Sequence, residues 1–452
     1  MGKALITDLY ELNMAASYLR RGMAGAATFS LFVRRLPKSR GFLVAAGLED
    51  CLRYLESFAF EAEDLVWLTE AGFPAEAVEK FASLRFTGDV HAVPEGRVVL
   101  ANEPLLEVTA PIAEAQLVET YLLNQITYQT ALATKATRCR LAAGAMELVD
   151  FALRRTHGTE AGMAAARVSA IAGFVGTSNV EAARRFGLEA AGTMAHSYIE
   201  AFPTESDAFR AFAEDLPGRT TFLVDTYDTQ RGVDAAISVI RELGLTGGLA
   251  VRLDSGDLAQ LARQTRTQLD AAGLRDVRIF ASGGLDEYDL ERFRVDNAPI
   301  DAAGVGTRMG VSADAPSLDS AYKLVAFGER PVLKLSVGKA TLPGAKQAWR
   351  CLPFDADLLT TRDEPGPPGF EPLLVQVMRG GSRLGTPDTL EAARSRLTRD
   401  LDGLPPAACD LHEPTSPDVV VSEPLRSLAA ELTARLARDV GTTERARQAQ
   451  SL

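Results

Sequence analysis

The middle of the chain repeats one pattern of apolar and polar residues. Four short apolar runs each lead into Asp, Ser or Gly, and they recur roughly every 24 to 28 residues, at 222–225, 249–254, 277–281 and 300–304. The segments between them carry apolar stripes at helical spacing, namely Val233, Ile237 and Ile240, then Leu258, Leu261, Thr265 and Leu269. The pattern predicts strands that alternate with helices.

Strand, turn and helix repeated at this interval indicate βαβ units and a parallel sheet. Both an open doubly wound sheet and a (β/α) barrel use this alternation. The polar residues fall at the carboxyl ends of the strands, which favours a barrel or partial barrel. We therefore expect an irregular (β/α) barrel over residues 126–349.

The flanking segments predict a second, mixed α+β domain, with residues 1–125 joined by 350–452. Residues 112–143 contain neither Gly nor Pro, so we expect them to be mainly helical with one break at most. The remaining expectations are a strand at 26–33, an amphipathic helix at 43–58, a surface loop at 363–369, a strand at 371–378 and a helix at 428–436.

Composition narrows the class of protein. The 452 residues are 46% apolar and 24% charged, which is ordinary for a globular chain. The net charge of -12 argues against a nucleic-acid partner. The four cysteines are scattered singly, and no apolar run approaches membrane-spanning length. We expect a cytoplasmic protein without a membrane partner.

Two neighbouring predicted strands end in glycine-rich turns. They are Ser282-Gly283-Gly284 and Gly304-Val305-Gly306-Thr307. Glycine lets backbone N–H groups approach an anion, and late βα loops of barrels often hold phosphate. The pair therefore indicates a sugar-phosphate site, with ordinary tight turns as the alternative.

Other strand ends carry charged and aromatic residues. Arg252 and Asp254 share one face of a strand and suit a substrate with phosphate and hydroxyl groups, although a structural ion pair is the alternative. His196 follows a short Ala-Gly segment, but a lone histidine is more often structural. Phe151 lies beside Arg154 and could stack on a planar ring. By themselves these residues predict a barrel enzyme acting on a phosphorylated sugar, without a protein-held metal cluster.

In their order along the chain, these motifs resemble those of nicotinate phosphoribosyltransferases, the type II phosphoribosyltransferases of NAD synthesis. The similarity extends from the N-terminal region to about residue 350. The matching segments are Thr7-Asp8-Leu9-Tyr10, 150–155, 173–179, 192–197, 224–228, 251–257, 282–284, 304–307, 334–336, Lys339 and 342–347.

The resemblance implies an ATP-coupled, ligase-type reaction. Nicotinate and phosphoribosyl pyrophosphate would give nicotinate mononucleotide and pyrophosphate, while ATP is hydrolysed through a phosphohistidine at His196. Magnesium would accompany the polyphosphates. Asp254 and Arg252 would contact the ribose, and both glycine turns the 5-phosphate. Candidates for the pyrophosphate and ATP phosphates are Arg34 or Arg35, Lys334, Lys339 and Lys346.

The resemblance also implies a homodimer with shared active sites. The pyridine ring would lie between Phe151 and Tyr10 of the other subunit, with Arg154 beside it. Relatives that use nicotinamide carry Asp where this chain has Ser178. Because Asp would repel a carboxylate, Ser178 favours nicotinate. The alternatives are a nicotinamide phosphoribosyltransferase, a quinolinate-using transferase that needs no ATP, and a non-catalytic mononucleotide-binding homologue.

Overall fold

The structure is a computed structural model, and it describes residues 3–218, 220–335, 341–354 and 356–450, with side chains through residue 438. Contacts between Cα atoms divide the chain into two units. The first contains Met1–Ala131 and Ser317–Leu452, and the second contains Leu132–Pro316.

The helices are α1 Leu9–Arg20, α2 Leu48–Glu56, α3 Ala62–Glu70, α4 Ala75–Ser83, α5 Ile112–Leu117, α6 Glu119–Ala143, α7 Thr159–Ile171, α8 Val180–Phe186, α9 His196–Glu200, α10 Glu205–Asp215, α11 Thr229–Glu242, α12 Leu258–Ala271, α13 Glu287–Val295, α14 Thr307–Gly310, α15 Leu390–Gly403 and α16 Glu423–Gln450. Short 3-10 turns cover Leu153–Arg155 and Pro406–Ala408.

The strands are β1 Ala26–Val33, β2 Leu43–Val44, β3 Asp89–Ala92, β4 Val98–Val99, β5 Pro104–Pro111, β6 Glu147–Asp150, β7 Gly176–Thr177, β8 Thr221–Leu223, β9 Ala250–Leu253, β10 Arg278–Ala281, β11 Ala302–Val305, β12 Ser320–Phe327, β13 Arg330–Pro331, β14 Lys346–Arg350, β15 Ala356–Thr361, β16 Glu371–Pro372, β17 Val375–Arg379, β18 Ser382–Arg383 and β19 Asp418–Val421.

The second unit is built on six parallel strands in the order β7-β6-β11-β10-β9-β8. Across the sheet the strands follow their chain order as if around a closed circle. The last strand, β11, lies next to the first, β6, and the order never reverses. A doubly wound sheet would reverse at a switch point. Among the described residues β7 and β8 do not pair with each other, so the sheet is a partial barrel, as the strand-end pattern favoured.

The register of this sheet brings the carboxyl ends of neighbouring strands within two residues of one another. Val305 pairs with Asp150, and Ala281 pairs with both Leu253 and Ala303. The two helices predicted between these strands are α11 and α12, and the two apolar stripes lie on their buried sides. The residues just after these strands therefore meet at one edge of the sheet, where ligands bind in parallel α/β folds.

The first unit is mixed α+β and combines N- and C-terminal segments. A seven-stranded sheet has the order β13-β12-β1-β5-β3-β17-β18, and a four-stranded sheet has the order β16-β14-β15-β19. Its core is aliphatic and aromatic, with stacked pairs such as Phe29 on Tyr322 and Tyr54 on Tyr121.

The expected division of the chain at residue 349 differs from the observed one. Strand β12 pairs along its length with β1, so residues from Ser317 onwards belong to the first unit. The βαβ rhythm ends at β11, and β12 instead extends an antiparallel sheet. The observed boundary after Ala131 lies close to the expected start of the barrel at residue 126.

Two expected elements are wrong in detail, whereas the strand at 26–33, the helix at 428–436 and the broken helix from residue 112 are confirmed. The helix expected from residue 43 begins at Leu48, because Gly47 has a left-handed φ of 94° and β2 precedes it. The strand expected at 371–378 divides into β16 and β17, which belong to different sheets. The helical stretch from residue 112 is broken once, at Val118, as predicted.

A buried ionic network stabilises the first unit. The Arg350 guanidinium is fully buried and donates from Nε to Asp357 Oδ1 at 3.0 Å, and from Nη1 to Asp400 Oδ2 at 3.0 Å and to the Val98 carbonyl at 2.7 Å. Glu103 lies 3.9 Å away. Arg350 thus pairs with Asp357 and shares Asp400 with the buried Arg97, whose Nε donates to the same Oδ2 at 2.8 Å. Burial and the charge of Asp357 raise the pKa of Glu103.

Replacing Arg350 with Met should destabilise the protein strongly. Breaking a buried pair by removing one partner costs about 3–5 kcal/mol, because a buried charge loses its compensation. Differential scanning calorimetry should show a lowered unfolding transition. The matched variant Arg184→Met removes an exposed partner of Glu181 and should leave the transition nearly unchanged. Equally small changes of the unfolding temperature in both variants would show that the network does not stabilise the first unit.

Candidate active site

A cavity of about 440 Å³ opens at the carboxyl edge of the parallel sheet in the second unit. It brings together six side chains that the sequence singled out, and four residues before His196 complete much of its wall. The lining residues are Phe151, Arg154, Ser178, Gly192, Thr193, Met194, Ala195, His196, Leu223, Arg252 and Asp254.

Arg252, Ser282 and Asp254 form a hydrogen-bonded triangle beside this cavity. Arg252 Nε donates to Ser282 Oγ at 2.7 Å, and Ser282 Oγ donates to Asp254 Oδ1 at 2.5 Å. Arg252 Nη2 also reaches Asp254 Oδ1 at 2.5 Å. Ser282, expected to contact a phosphate, is buried and committed to this triangle.

The triangle controls the protonation of Asp254. Burial acts to raise the pKa of this carboxyl, but the hydrogen bond from Ser282 and the charge of Arg252 outweigh burial and hold the pKa below its ordinary value. Asp254 is therefore a carboxylate at neutral pH. Its backbone is fixed as well, because its N–H donates to Asp225 Oδ2 at 2.8 Å.

His196 begins the short helix α9 and is about half exposed. Its Nδ1 lies 3.1 Å from the Thr226 hydroxyl, and its Nε2 lies 3.9 Å from Asp254 Oδ2. The imidazole is thus oriented through one nitrogen, while the other faces a carboxylate at a distance longer than a hydrogen bond. This arrangement suits a histidine that reacts through its second nitrogen.

Phe151 forms an aromatic wall of the cavity, and the ring has space there because two neighbouring residues are glycines without a Cβ. A Cβ at Gly304 would lie 2.5 Å from Phe151 Cδ2, and one at Gly306 would lie 2.7 Å from the Phe151 carbonyl. The ring also packs on Phe280, with centroids 5.6 Å apart, and the Arg252 guanidinium lies 5.7 Å from its centroid. Gly304, expected in a phosphate turn, is instead a buried strand residue that seats this ring.

Buried Asp150 supports the neighbouring Ser178. Its carboxylate accepts from the Thr177 hydroxyl at 2.7 Å and from the Ala152 N–H at 2.8 Å, and its carbonyl accepts from the Ser178 N–H. Burial raises the pKa of Asp150. No role was predicted from the sequence for Asp150, Asp225 or Thr226. Each lies at or just beyond the end of a strand, and this position is the signal that could have marked them as site residues.

The Ser282-Gly283-Gly284 turn has the expected backbone freedom. Gly283 has φ 108°, and a Cβ there would lie 2.1 Å from the Asp254 carbonyl. Gly284 has φ 75° and open space beside it, so its N–H can be approached. Thr307, at the second turn, is exposed.

The remaining candidates lie in the first unit. Tyr10 is 47% exposed; partial burial and the charges of Glu119 and Glu11 raise the pKa of its phenol, which is therefore neutral. Arg34 pairs with Asp319 at 3.0 Å, as does Arg35 at 3.1 Å, and Lys334 is exposed. Lys339 lies outside the described residues.

Lys346 does not fit its expected role as a phosphate ligand. Its ammonium group is almost fully buried, lies 3.2 Å from Glu107 Oε1 and donates to the Gly344 carbonyl at 2.8 Å. The sequence could not show that β14 places this lysine inside the first unit.

Within the described ranges, no group of three or more His, Cys, Asp or Glu side chains is arranged to hold a metal ion. None of the helices in those ranges combines the length and apolar character needed to cross a bilayer.

Family models match the N-terminal segment of the first unit and most of the second unit. The N-terminal domain model of nicotinate phosphoribosyltransferase matches residues 5–127, and the nicotinate phosphoribosyltransferase family model matches residues 146–284. A nicotinate phosphoribosyltransferase of Mycobacterium tuberculosis is 48% identical over 91% of this chain and 89% of its own length. The Homo sapiens protein of that name is 33% identical over 96% of this chain and 97% of its own length.

Solved structures agree with this similarity. The crystal structure of human nicotinic acid phosphoribosyltransferase has a TM-score of 0.85 and 31% identity, covering 94% of this chain and 99% of that one. A nicotinate-nucleotide pyrophosphorylase from Pyrococcus furiosus has a TM-score of 0.74 and 25% identity, with coverages of 88% and 95%. The expected fold, an irregular (β/α) barrel with a second α+β domain, is confirmed.

Replacing Ser282 with Ala should raise the pKa of Asp254. The variant loses the hydrogen bond that opposes burial most strongly, so the charged form of Asp254 becomes less favourable. A carboxyl ¹³C NMR titration, assigned with Asp254→Asn, measures the shift. The control Ser255→Ala removes a hydroxyl that bonds Asp225 instead. An unchanged Asp254 pKa in Ser282→Ala would show that the triangle does not control this carboxylate.

Proposed function

Because the chain belongs to the nicotinate phosphoribosyltransferase family, we propose that it transfers the ribose 5-phosphate group of phosphoribosyl pyrophosphate to nicotinate, in the first step of NAD synthesis from this acid. The observation that carries the proposal is the joint placement of Phe151, Arg154, Ser178, Arg252 and Asp254 around one cavity. An aromatic wall, cations and a carboxylate are what an aromatic acid and a sugar phosphate require together.

In this proposal nicotinate stacks on Phe151 and its carboxylate pairs with exposed Arg154. The ring nitrogen forms a bond to C1 of the ribose as the bond from C1 to the pyrophosphate oxygen breaks, and that oxygen keeps the electron pair. Positive charge develops on the sugar during this exchange. Asp254, kept ionised by the triangle, stabilises that charge.

We propose that His196 couples ATP hydrolysis to this reaction. Thr226 orients Nδ1, so Nε2 is the nitrogen we assign to attack on the γ-phosphoryl group, with ADP as the leaving group. Water then breaks the P–N bond and releases phosphate. A phosphoryl group here would stand beside Asp254, 3.9 Å from Nε2 in the unmodified protein, so repulsion between the two would rearrange the site.

Magnesium in this scheme accompanies the substrates. Glu205 Oε1 and Asp225 Oδ1 are buried and have no hydrogen-bond partner in the described part of the chain, so a hydrated cation on a polyphosphate would fit beside them. Burial, together with the charges of Asp225 and Asp228, raises the pKa of Glu205 to about 7. When bound, the metal neutralises polyphosphate charge.

We further propose a cytoplasmic homodimer. The free cysteines fit a reducing compartment. Tyr10 is an exposed, neutral aromatic side chain of the first unit. A second copy would supply Tyr10 as the opposite face of the pyridine sandwich.

The direct test is incubation of the purified protein with nicotinate, phosphoribosyl pyrophosphate, ATP and magnesium, with the products identified by mass. We expect nicotinate mononucleotide, pyrophosphate, ADP and phosphate. Parallel incubations replace nicotinate with nicotinamide or quinolinate. A product formed only from nicotinamide, or only from quinolinate with loss of carbon dioxide, would reject the proposal. Absence of any product would favour a binding homologue.

The variant His196→Ala should lose ATP stimulation while keeping its fold and a basal rate, because it lacks the nucleophile for phosphoryl transfer. Initial rates with and without ATP, and acid-labile ³²P incorporation, measure the effect. The control His157→Ala alters an exposed histidine and should retain both signals. ATP stimulation that survives in His196→Ala would remove the phosphohistidine from the scheme.

The variant Ser178→Asp should lose kcat/KM for nicotinate by at least about tenfold, since a carboxylate beside the substrate carboxylate costs more than about 1.4 kcal/mol. The uncharged control Ser178→Asn should lose less. Rates on nicotinate and nicotinamide, compared in all three proteins, give the ratio. Equal losses in the Asp and Asn variants would show that Ser178 affects substrate binding through the shape of the site and not through its lack of charge.

A further inference from the structure

The two glycine turns are joined by an ion pair that the proposed reaction does not yet use. Strands β10 and β11 are parallel neighbours; Ser282-Gly283-Gly284 follows directly after β10, and Gly306-Thr307 follows directly after β11. Arg308 lies just after Gly306-Thr307, and Asp286 lies two residues after Gly284. Arg308 Nη1 is 2.6 Å from Asp286 Oδ2, with Asp289 at 3.6 Å.

The amino end of α13, beside the first turn, already has an anion. Asp286 caps this helix by accepting from the N–H groups of Tyr288 and Asp289, while the Asp289 side chain accepts from the Asp286 N–H. A phosphate at the first turn would meet the Asp286 carboxylate as well as the helix dipole. The turn therefore needs a cation to favour a dianionic ligand.

Arg308 is placed to be that cation. Its side chain is 52% exposed, whereas Asp286 is only 10% exposed, so the guanidinium covers the carboxylate and also faces solvent. Arginine carries five N–H donors in a planar fork that fits phosphate oxygens. Ser282 offers no such help, because its hydroxyl is committed to Arg252 and Asp254.

We propose that Arg308 is a specificity-determining residue that binds the 5-phosphate of the sugar substrate, sharing its guanidinium between that phosphate and Asp286. The inference rests on the proposed function, and in it the Arg308 guanidinium is the group that distinguishes phosphorylated from unphosphorylated ribose. Asp286 both caps α13 and competes with the phosphate for Arg308. Substituting the two partners of this ion pair should therefore have opposite effects on ligand binding.

The test uses ribose 5-phosphate as the probe, with isothermal titration calorimetry of the full chain at low ionic strength. Arg308→Met should weaken binding at least tenfold. Asp286→Asn should tighten it about two- to tenfold, because Asn caps a helix as well as Asp does and the substitution removes the nearer of the two carboxylates that hold Arg308. A bridge that only holds the two turns together would weaken binding in both variants, and that result would overturn the inference.

Three controls separate the possible outcomes. Arg292→Met removes an arginine of α13 that lies near Asp289 and should leave binding unchanged. Unphosphorylated ribose should bind weakly to every protein, and circular dichroism checks that each variant folds. Unchanged binding in Arg308→Met would overturn this inference alone. Failure of the wild-type protein to bind ribose 5-phosphate would overturn both the inference and the proposed sugar-phosphate substrate.

Discussion

The parallel register of the barrel strands is the constraint on which the candidate site depends. Val305 pairs with Asp150, and Ala281 pairs with both Leu253 and Ala303, so four strands end within two residues of one another. The residue after β9 then lies beside the residue after β10, and Ser282 can bond both Arg252 and Asp254. A slip of one residue would point these side chains to opposite faces of the sheet and dissolve the triangle.

The same register gives the glycines two different tasks. Gly304 is within β11 and has no room for a Cβ because the Phe151 ring occupies that space. Gly284 lies beyond β10 and has open space on the side where a Cβ would project. Glycine thus makes room for an aromatic ring within β11 and leaves open space beside the backbone after β10. Spacing along the chain cannot separate these tasks, because both depend on what packs from other strands.

Sequence patterns predicted the barrel and five residues of the cavity for a local reason, whereas Ser178 was expected from the family resemblance alone. Apolar runs that end in polar residues mark strand ends, and parallel strands bring those ends together. The pattern failed where long-range pairing decides the outcome. Lys346 looked like an available cation, yet Glu107, 239 positions earlier, accepts from its backbone N–H and pairs with its ammonium. The boundary at residue 316 likewise depends on β12 pairing with β1, which no local signal near 317 reveals.

Charge placement explains how an acidic chain can hold anionic substrates. The net charge of -12 sets a repulsive background, but screening limits its reach to about 10 Å at moderate ionic strength, so nearby groups decide affinity. At the cavity, Arg252 is paired with Asp254 and Arg154 is exposed. A paired arginine positions a carboxylate, whereas an exposed or shared one can still meet a ligand. The degree of exposure, rather than the presence of an arginine, therefore separates the residues that shape this site from those that can bind its substrates.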